Sequence, residues 1–567
     1  MDTANHHPDI GYIPSRFLSL VIFVFTTLNL IFCLLPFHNG WNQINYFDRP
    51  TEIAYFFSNR AGVLSFANIA LSVLFAGRNN PLMYIGGFSQ TSSLTFHRWT
   101  ARIATVQAII HSILFTITYF WAGGYTAYSA QAALAYYWWG IIATIALALC
   151  IGAATLAVRI KLYETFLLTH IALVILGLIG CWYHIILRYG KNWGYEVYLY
   201  IAFAFWASDR LARLLRMAWY NRAGIISPGY AELVPDTDLI KLTIFPSSSW
   251  KFTPSQHSFL YFHSINHQRY SFWESHPFSV ATWSTGTISS NTASTIVTSH
   301  STGSEALPDE DKLATKETQS SQRVREAYTG DKVSPDSGPS VTFLIRASTT
   351  PSASLHGLTR RLYKEAVSHF ALTNDFTTNS HSFPVTVSTE GPYTHSAAAL
   401  HGSDVVLCLA GGVGVTALLG YVKAYTEHPQ GRQSTIGKES HQTGSKGHIR
   451  PQRMIFAFSA RQNGLINEIR QLLPSDSPAE EGRGLEVRFF CTDRSTTGST
   501  QGDACITMGR MDIQEMISAE ARTTGRKNKL TVISCGPAEM ADEVRKVTAS
   551  CVRKGHWIEL VEEAFAW

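Results

Sequence analysis

The chain has 567 residues, enough for two or three domains, with 46% hydrophobic residues, 15% charged residues and a net charge of +5. So small a surplus, with no basic stripe carrying interleaved aromatics, argues against a nucleic-acid partner. Eight cysteines are scattered without a C-x-x-C pair or zinc spacing, which speaks against a disulfide framework and fits reducing surroundings for the soluble part.

Apolar residues crowd the first 220 positions. Six segments, at roughly 17–36, 61–77, 99–120, 135–158, 165–187 and 194–215, approach the 20 or so residues that cross a bilayer as helix. The first is too long for a signal-peptide core and lacks a small-residue cleavage site, so it reads as a span. With the N-terminus inside, the inner flanks collect Arg16, Arg78, Arg98, Arg102, Arg159, Lys161, Arg210, Arg213, Arg216 and Arg222. The outer loops hold only Arg49, Arg60, Arg188 and Lys191. This asymmetry places both termini and the soluble half in the cytosol.

Four histidines fall on these spans: His97 and His111 on or beside the third, His170 and His184 on the fifth. Both pairs are 14 residues apart. On a helix that spacing is almost four turns, so each pair shares a face to within about 40° and spans roughly 21 Å along the axis. Both spans run in the same direction, which sets His97 level with His170 and His111 level with His184. An imidazole in hydrocarbon is costly without a partner. Each histidine alone could cap a helix or bond within the bundle, and His97 stands nearest the membrane edge. The matched spacing favours axial ligation of two stacked haems. Ligands four turns apart cannot share a single metal ion.

After Arg222 the texture changes to short β-like runs such as Leu239–Phe245 and Ser258–Phe262. A Ser/Thr/Gly-rich stretch at about 284–338 lacks apolar periodicity and reads as a disordered insertion. Just before it, His276-Pro277-Phe278-Ser279 can present backbone and hydroxyl donors to a flavin and its phosphates, although so short a run, taken alone, reads more readily as an ordinary β-turn. Beyond about residue 400, buried strands at Asp404–Ala410, Met454–Phe458, Glu486–Phe490 and Lys529–Ser534 alternate with helical patterns, and a second polar insertion covers 428–450. No internal repeat is visible. An apolar strand enters Gly411-Gly412-Val413-Gly414-Val415-Thr416. This strand–glycine–helix order lets backbone amides approach a pyrophosphate, with tight-turn glycines as the alternative. The strand at Leu530–Ser534 delivers Cys535-Gly536-Pro537 to the sheet edge where open α/β folds bind ligands. The chain ends in Phe565-Ala566-Trp567, aromatics that either fray or cover a flat ring.

Together and in this order, these pieces resemble the ferric reductase family of fungal membranes, related to the NADPH oxidases. The resemblance rests on Asn59-Arg60-Ala61-Gly62, Gly77-Arg78-Asn79-Asn80, the paired histidines, His276–Ser279, Gly391-Pro392-Tyr393, Gly411–Thr416, Cys535–Pro537 and the final aromatic. It implies a six-helix membrane bundle (1–220), an antiparallel β-barrel FAD domain (221–398) and an α/β nucleotide-binding domain of ferredoxin-reductase type (399–567). It also implies two b-type haems on the four histidines, FAD on His276–Ser279 and its barrel, and the NADPH pyrophosphate on Gly411–Thr416. Cys535–Pro537 would lie beside the nicotinamide, with Arg461 and Arg494 on the 2′-phosphate and Trp567 over the flavin. The implied activity carries electrons from cytosolic NADPH to an external ferric, or cupric, chelate, most naturally at the plasma membrane. Superoxide production at the outer haem and a non-catalytic membrane sensor are the rival readings. The chain departs from the family pattern at Ser255 in Pro254-Ser255-Gln256, at Thr394 and at Ala417, without loss of a ligand or charge.

Overall fold

A computed structural model describes residues 16–35, 49–86, 89–263, 274–285, 338–347, 357–372, 382–394, 400, 402–427, 451–473, 484–493 and 506–563. Almost all of the insertion expected at 284–338, all of that at 428–450, Arg494, Phe565 and Trp567 lie outside them.

The first 220 residues are helical: α1 (Arg16–Leu34), α2 (Arg49–Ala76), the short α3 (Pro81–Gly86), α4 (Gln90–Ala132), α5 (Ala135–Ala153), the short α6 (Leu156–Lys161), α7 (Tyr163–Tyr189) and α8 (Glu196–Tyr220). Five of them, α1, α2, α4, α5 and α7, are long and apolar enough to cross a membrane. The sixth expected span is also a helix, but its second half carries Asp209, Arg210, Arg213 and Arg216, of which Arg213 and Arg216 reach Glu390 and the Pro392 carbonyl in the soluble half. The second helix starts a full three turns before the expected boundary. Asn59 and Arg60 do not break it because Asn59 Nδ2 donates to the Tyr55 carbonyl at 2.9 Å and Arg60 Nη1 to the Leu35 carbonyl at 2.6 Å. The third expected span likewise starts early, at Gln90, where the Ser89 hydroxyl caps the Ser92 amide at 3.2 Å. His97 therefore sits two turns inside a helix rather than at its edge. The loop expected after Trp121 is a break at Gly123–Gly124, where Gly124 has φ +62°, followed by more helix to Ala132.

Six strands then close an antiparallel barrel: β1 (Ser227–Leu233), β2 (Leu239–Ile244), β3 (Gln256–Phe262), β4 (His276–Ser284), β5 (Ser340–Arg346) and β6 (Ser382–Thr394), in the order β1-β2-β5-β4-β3-β6. Helix α9 (Leu358–Leu372) covers one end through Leu358, Leu362 and Ala366. The last unit is a six-stranded parallel sheet, made of β7 (Val405–Gly411), β8 (Arg453–Ala460), β9 (Gly484–Cys491), β10 (Ile506–Met508), β11 (Leu530–Cys535) and β12 (Ile558–Glu562). Helices α10 (Val415–Glu427) and α11 (Asn463–Leu472) pack in one core, and α12 (Ile513–Thr524) and α13 (Ala538–Arg553) in another. The strand order β10-β9-β8-β7-β11-β12 reverses between β7 and β11. Open α/β sheets bind ligands outside the carboxyl ends of the strands at such a switch point. The core around α10 also takes in Val234, Leu239, Ala281 and Leu344 of the barrel region, so barrel and sheet share apolar packing.

Candidate functional site

Helices α4 and α7 bring the four histidines together as two couples. The rings of His97 and His170 have centroids 6.2 Å apart at 81°, and those of His111 and His184 are 6.1 Å apart at 86°. Three of the rings are oriented by helix carbonyls. His97 Nδ1 lies 2.9 Å from the Ser72 oxygen, His111 Nδ1 2.8 Å from that of Ser58 and His184 Nδ1 2.9 Å from that of Tyr136. A carbonyl only accepts, so these nitrogens carry the proton and each Nε2 keeps its lone pair, the tautomer a metal-ligating histidine needs. His170 Nδ1 has no hydrogen-bond partner among the described residues.

Below the inner couple lies a buried polar junction. Glu390 on β6 is fully buried and meets Arg78 at 2.8 Å and Arg213 at 3.6 Å, while the Tyr261 and Tyr393 hydroxyls donate to it at 2.7 and 2.8 Å. Burial works to raise its pKa. The charges of Arg78 and Arg213, with hydrogen bonds from Tyr261 and Arg78, outweigh burial and hold the carboxyl below its ordinary range. The Tyr393 phenol is pushed up by burial and by Glu390 beside it. The Arg78 guanidinium also lies 3.3 Å from the centre of the Phe259 ring. Asp209 accepts from the Asn79 amide at 2.9 Å and from Arg213 at 2.8 Å; Arg216 donates to Asn79 at 2.7 Å and to the Pro392 carbonyl at 2.9 Å. Beside this network is a cavity of about 800 Å³ lined by Arg78, Gln90, Arg216, Lys251, His257 and Tyr393, among others. Its cationic lining suits an anionic or electron-rich ligand.

His276-Pro277-Phe278-Ser279 is not a turn: it opens β4, with His276 opposite Leu260 and Ser279 opposite His257. His276 Nε2 is 3.1 Å from Glu274, which also binds Arg361 of α9. On β6, which pairs with the other side of β3, a side chain at Gly391 would run into Ser258, the Gly391–Pro392 peptide is cis, and the Tyr393 ring stacks on His257 at 5.6 Å. Ser255, the departure from Pro-Gly-Gln, has φ +61°, a conformation that favours glycine. Its hydroxyl donates to Glu563 at 2.6 Å, and Tyr421 donates to the same oxygen at 2.7 Å.

At the switch point, Gly411 ends β7, Gly412 takes φ +55° in a 3₁₀ turn through Gly414, and α10 follows. Cys535 is the register partner of Ala410. A Cβ on Gly414 would lie 2.8 Å from the Cys535 oxygen and one on Gly411 2.9 Å from Pro537 Cδ, so the two glycine segments touch. Gly411, Gly412, Gly414, Cys535, Gly536 and Pro537 thus form one edge, buried at Gly411 and open at Gly536 and Pro537. The Thr416 hydroxyl is engaged with the Val413 carbonyl at 3.0 Å. Burial, then the nearby Glu563, pushes the half-buried Cys535 thiol up to about 12, so it is neutral at physiological pH. Arg461 is exposed just past the end of β8, beside this edge.

Sequence reasoning missed Glu390, Asp209, Tyr261, Glu563 and the accepting carbonyls of Ser58, Ser72 and Tyr136. It also missed that Ser58 and Ser72 on α2 repeat the fourteen-residue spacing of the two histidines, His111 and His97, whose rings they hold.

Histidine couples in an apolar bundle, joined to a flavin-type barrel and a doubly wound sheet, define a membrane-spanning flavoprotein of ferredoxin-reductase type. Three family models match in the same order: a ferric reductase like transmembrane component over 61–181, an FAD-binding domain over 230–397 and a ferric reductase NAD binding domain over 403–549. The chain belongs to the fungal ferric reductase family. It is 35% identical over 272 residues to ferric reductase transmembrane component 4 of Saccharomyces cerevisiae, covering 48% of this chain and 35% of that one. It is 27% identical to component 5 of the same yeast over 98% of this chain and 68% of that one. The match thus spans about a third of the length of the first of these relatives and two thirds of the second.

Proposed function

We propose that the chain is a transmembrane metal reductase that takes electrons from NADPH and delivers them singly to a ferric, or cupric, chelate across the membrane. The observation that carries this reading is the two histidine couples at 6.2 and 6.1 Å, in a bundle that continues into FAD- and NAD-binding domains. Two imidazoles that each hold a shared iron at about 2 Å have ring centres roughly 6 Å apart. His97 with His170, and His111 with His184, are therefore the residues that would hold two b-type haems. When bound, FAD divides the hydride pair of NADPH into single electrons and haem iron relays them.

The remaining residues bind and orient. His276, Pro277, Phe278 and Ser279 on β4, with Gly391, Pro392 and Tyr393 on β6, wall the flavin. Gly411, Gly412, Gly414 and Thr416 receive the NADPH pyrophosphate, and Cys535-Gly536-Pro537 sits under the nicotinamide, the thiol adding bulk without charge. Arg461, with Arg494, would fork onto the 2′-phosphate, and Trp567 would cover the flavin until the nicotinamide displaced it; Arg494 and Trp567 lie outside the described residues. The arginine asymmetry supports NADPH on the cytosolic face and the metal acceptor outside, and the resemblance alone suggests the plasma membrane. One NADPH and two ferric ions give NADP⁺, one proton and two ferrous ions.

The test is external reduction of an impermeant ferric chelate by cells expressing the full chain, with superoxide trapped in parallel. Ferrous product insensitive to superoxide dismutase is expected. Superoxide as the primary product would make the chain an oxidase, and neither product would leave a non-catalytic sensor.

A further inference from the structure

We propose that Gly62 on α2 and Gly140 on α5 are positioning residues for the outer histidine couple, each forming, with the carbonyl one turn earlier, a slot that fixes one imidazole. The proposal rests on the haem reading above. A Cβ built on Gly62 would lie 2.7 Å from His111 Nδ1 and 2.9 Å from Cε1; one on Gly140 would lie 2.6 Å from His184 Nδ1 and 2.9 Å from Cε1. Real Cβ contacts do not come so close. In both cases the nearest atoms belong to the imidazole alone.

Glycines in membrane helices usually serve close helix packing. Gly180 on α7 does so: its Cβ would meet the Ala143 amide and the Trp139 carbonyl, both at 3.0 Å. Gly62 and Gly140 differ because they clear space for a ring, not for a backbone. The reason lies in helix geometry. A carbonyl points along the axis toward the residue four positions on, so a ring donating to it must lie across that residue. Ser58 holds His111 and is followed four residues later by Gly62; Tyr136 holds His184 and is followed by Gly140. At the inner level the fourth residue after Ser72 is Ala76, where α2 ends, so no glycine is required. The device belongs to the outer couple and is built twice.

A methyl group at either glycine must push the ring off its carbonyl, free the Nδ1 proton and turn Nε2 away from the facing histidine. Alanine is otherwise favoured over glycine within a helix, so a loss in these variants comes from the ring contact. The experiment compares full-length wild type with Gly62→Ala, Gly140→Ala and the control Gly177→Ala, whose Cβ would meet nothing nearer than 3.7 Å. Haem per protein, the low-spin electron paramagnetic resonance signals, both haem midpoint potentials and NADPH-driven reduction of a soluble dye are measured. Gly62→Ala and Gly140→Ala should each lose the outer haem, or shift its potential and signal, with the inner haem unchanged and dye reduction within about twofold of wild type; Gly177→Ala should match wild type. Two unperturbed haems in both variants would overturn the proposal. So would joint loss of both haems and dye reduction, which would make these glycines general packing residues. A wild type without haem would instead remove the reading on which the proposal rests.

Discussion

The flavin barrel is gripped on two sides, and the two grips differ in kind. Toward the membrane helices the contact is ionic and buried, with Arg78 and Arg213 on Glu390, Arg213 on Asp209, and Arg216 on Asn79 and the Pro392 carbonyl. Toward the nucleotide domain it is an apolar core around α10 with two carboxylates beside it: Glu563, which accepts from Ser255 and Tyr421, and Glu468, which pairs with Lys241 of β2 at 3.0 Å. Buried ion pairs have strict geometry, and removing one partner leaves an uncompensated charge. Hydroxyl-to-carboxylate bonds over an apolar surface are lighter and tolerate small displacements. The difference teaches what each contact turns on: the one with the membrane helices on buried charge, the one with the nucleotide domain chiefly on apolar burial.

The largest effect is expected at the ionic grip. Glu390→Gln keeps the shape but strands Arg78, while Arg213 keeps Asp209, at a cost of about 3 kcal/mol. NADPH-driven haem reduction in stopped flow should slow tenfold or more while dye reduction by the flavin persists; equal slowing of both would break the comparison. A pH titration sharpens it. Glu390 is held below the ordinary glutamate value of about 4.3. Its stabilisation is therefore complete above that value and is lost only as pH falls through the lower folded-state value. Wild type should lose haem reduction more steeply below about pH 4 than Glu390→Gln does; parallel profiles would remove Glu390 from the grip.

On the nucleotide side the effects are smaller. Trp567→Ser should let NADH compete, lowering the NADPH/NADH ratio of kcat/KM several-fold, since a stacked aromatic pair is worth on the order of 1 kcal/mol. A shift in Phe565→Ser instead would identify the other ring. The smallest change is expected for Ser255→Gly. It relieves a left-handed backbone worth roughly 1 kcal/mol and loses a hydrogen bond of similar size. Its melting temperature should stay near that of wild type, whereas Ser255→Ala, losing the bond and keeping the strained φ, should melt lower. Equal melting of the two variants would mean that the Glu563 contact, not the backbone, decides the site.

The parts legible in the sequence were those with a period or a fixed local order. Five of the six apolar spans, though not all their boundaries, the strands β2, β3, β7, β8, β9 and β11, the histidine spacing and the strand–glycine–helix turn appear as expected. The edge strands β10 and β12 did not, because Ile506–Met508 is three residues long and Ile558–Glu562 is half acidic or exposed. The ionic grip was illegible because Arg78 and Glu390 are 312 residues apart and follow no pattern. Ser58, Ser72 and Tyr136 act through their backbone oxygens, so their side chains leave no mark. Gly62 stood in a recognised motif without a role, and Gly140 attracted no notice, since the ring each accommodates comes from another helix.

The most direct test of the haem assignment is an anaerobic redox titration of the purified full chain, followed optically and by electron paramagnetic resonance, beside His184→Ala. Two low-spin b-type haems in wild type and one in His184→Ala, with NADPH-to-dye reduction retained, is the predicted result. A wild type without haem bands, or a variant that keeps both haems unchanged, would contradict it.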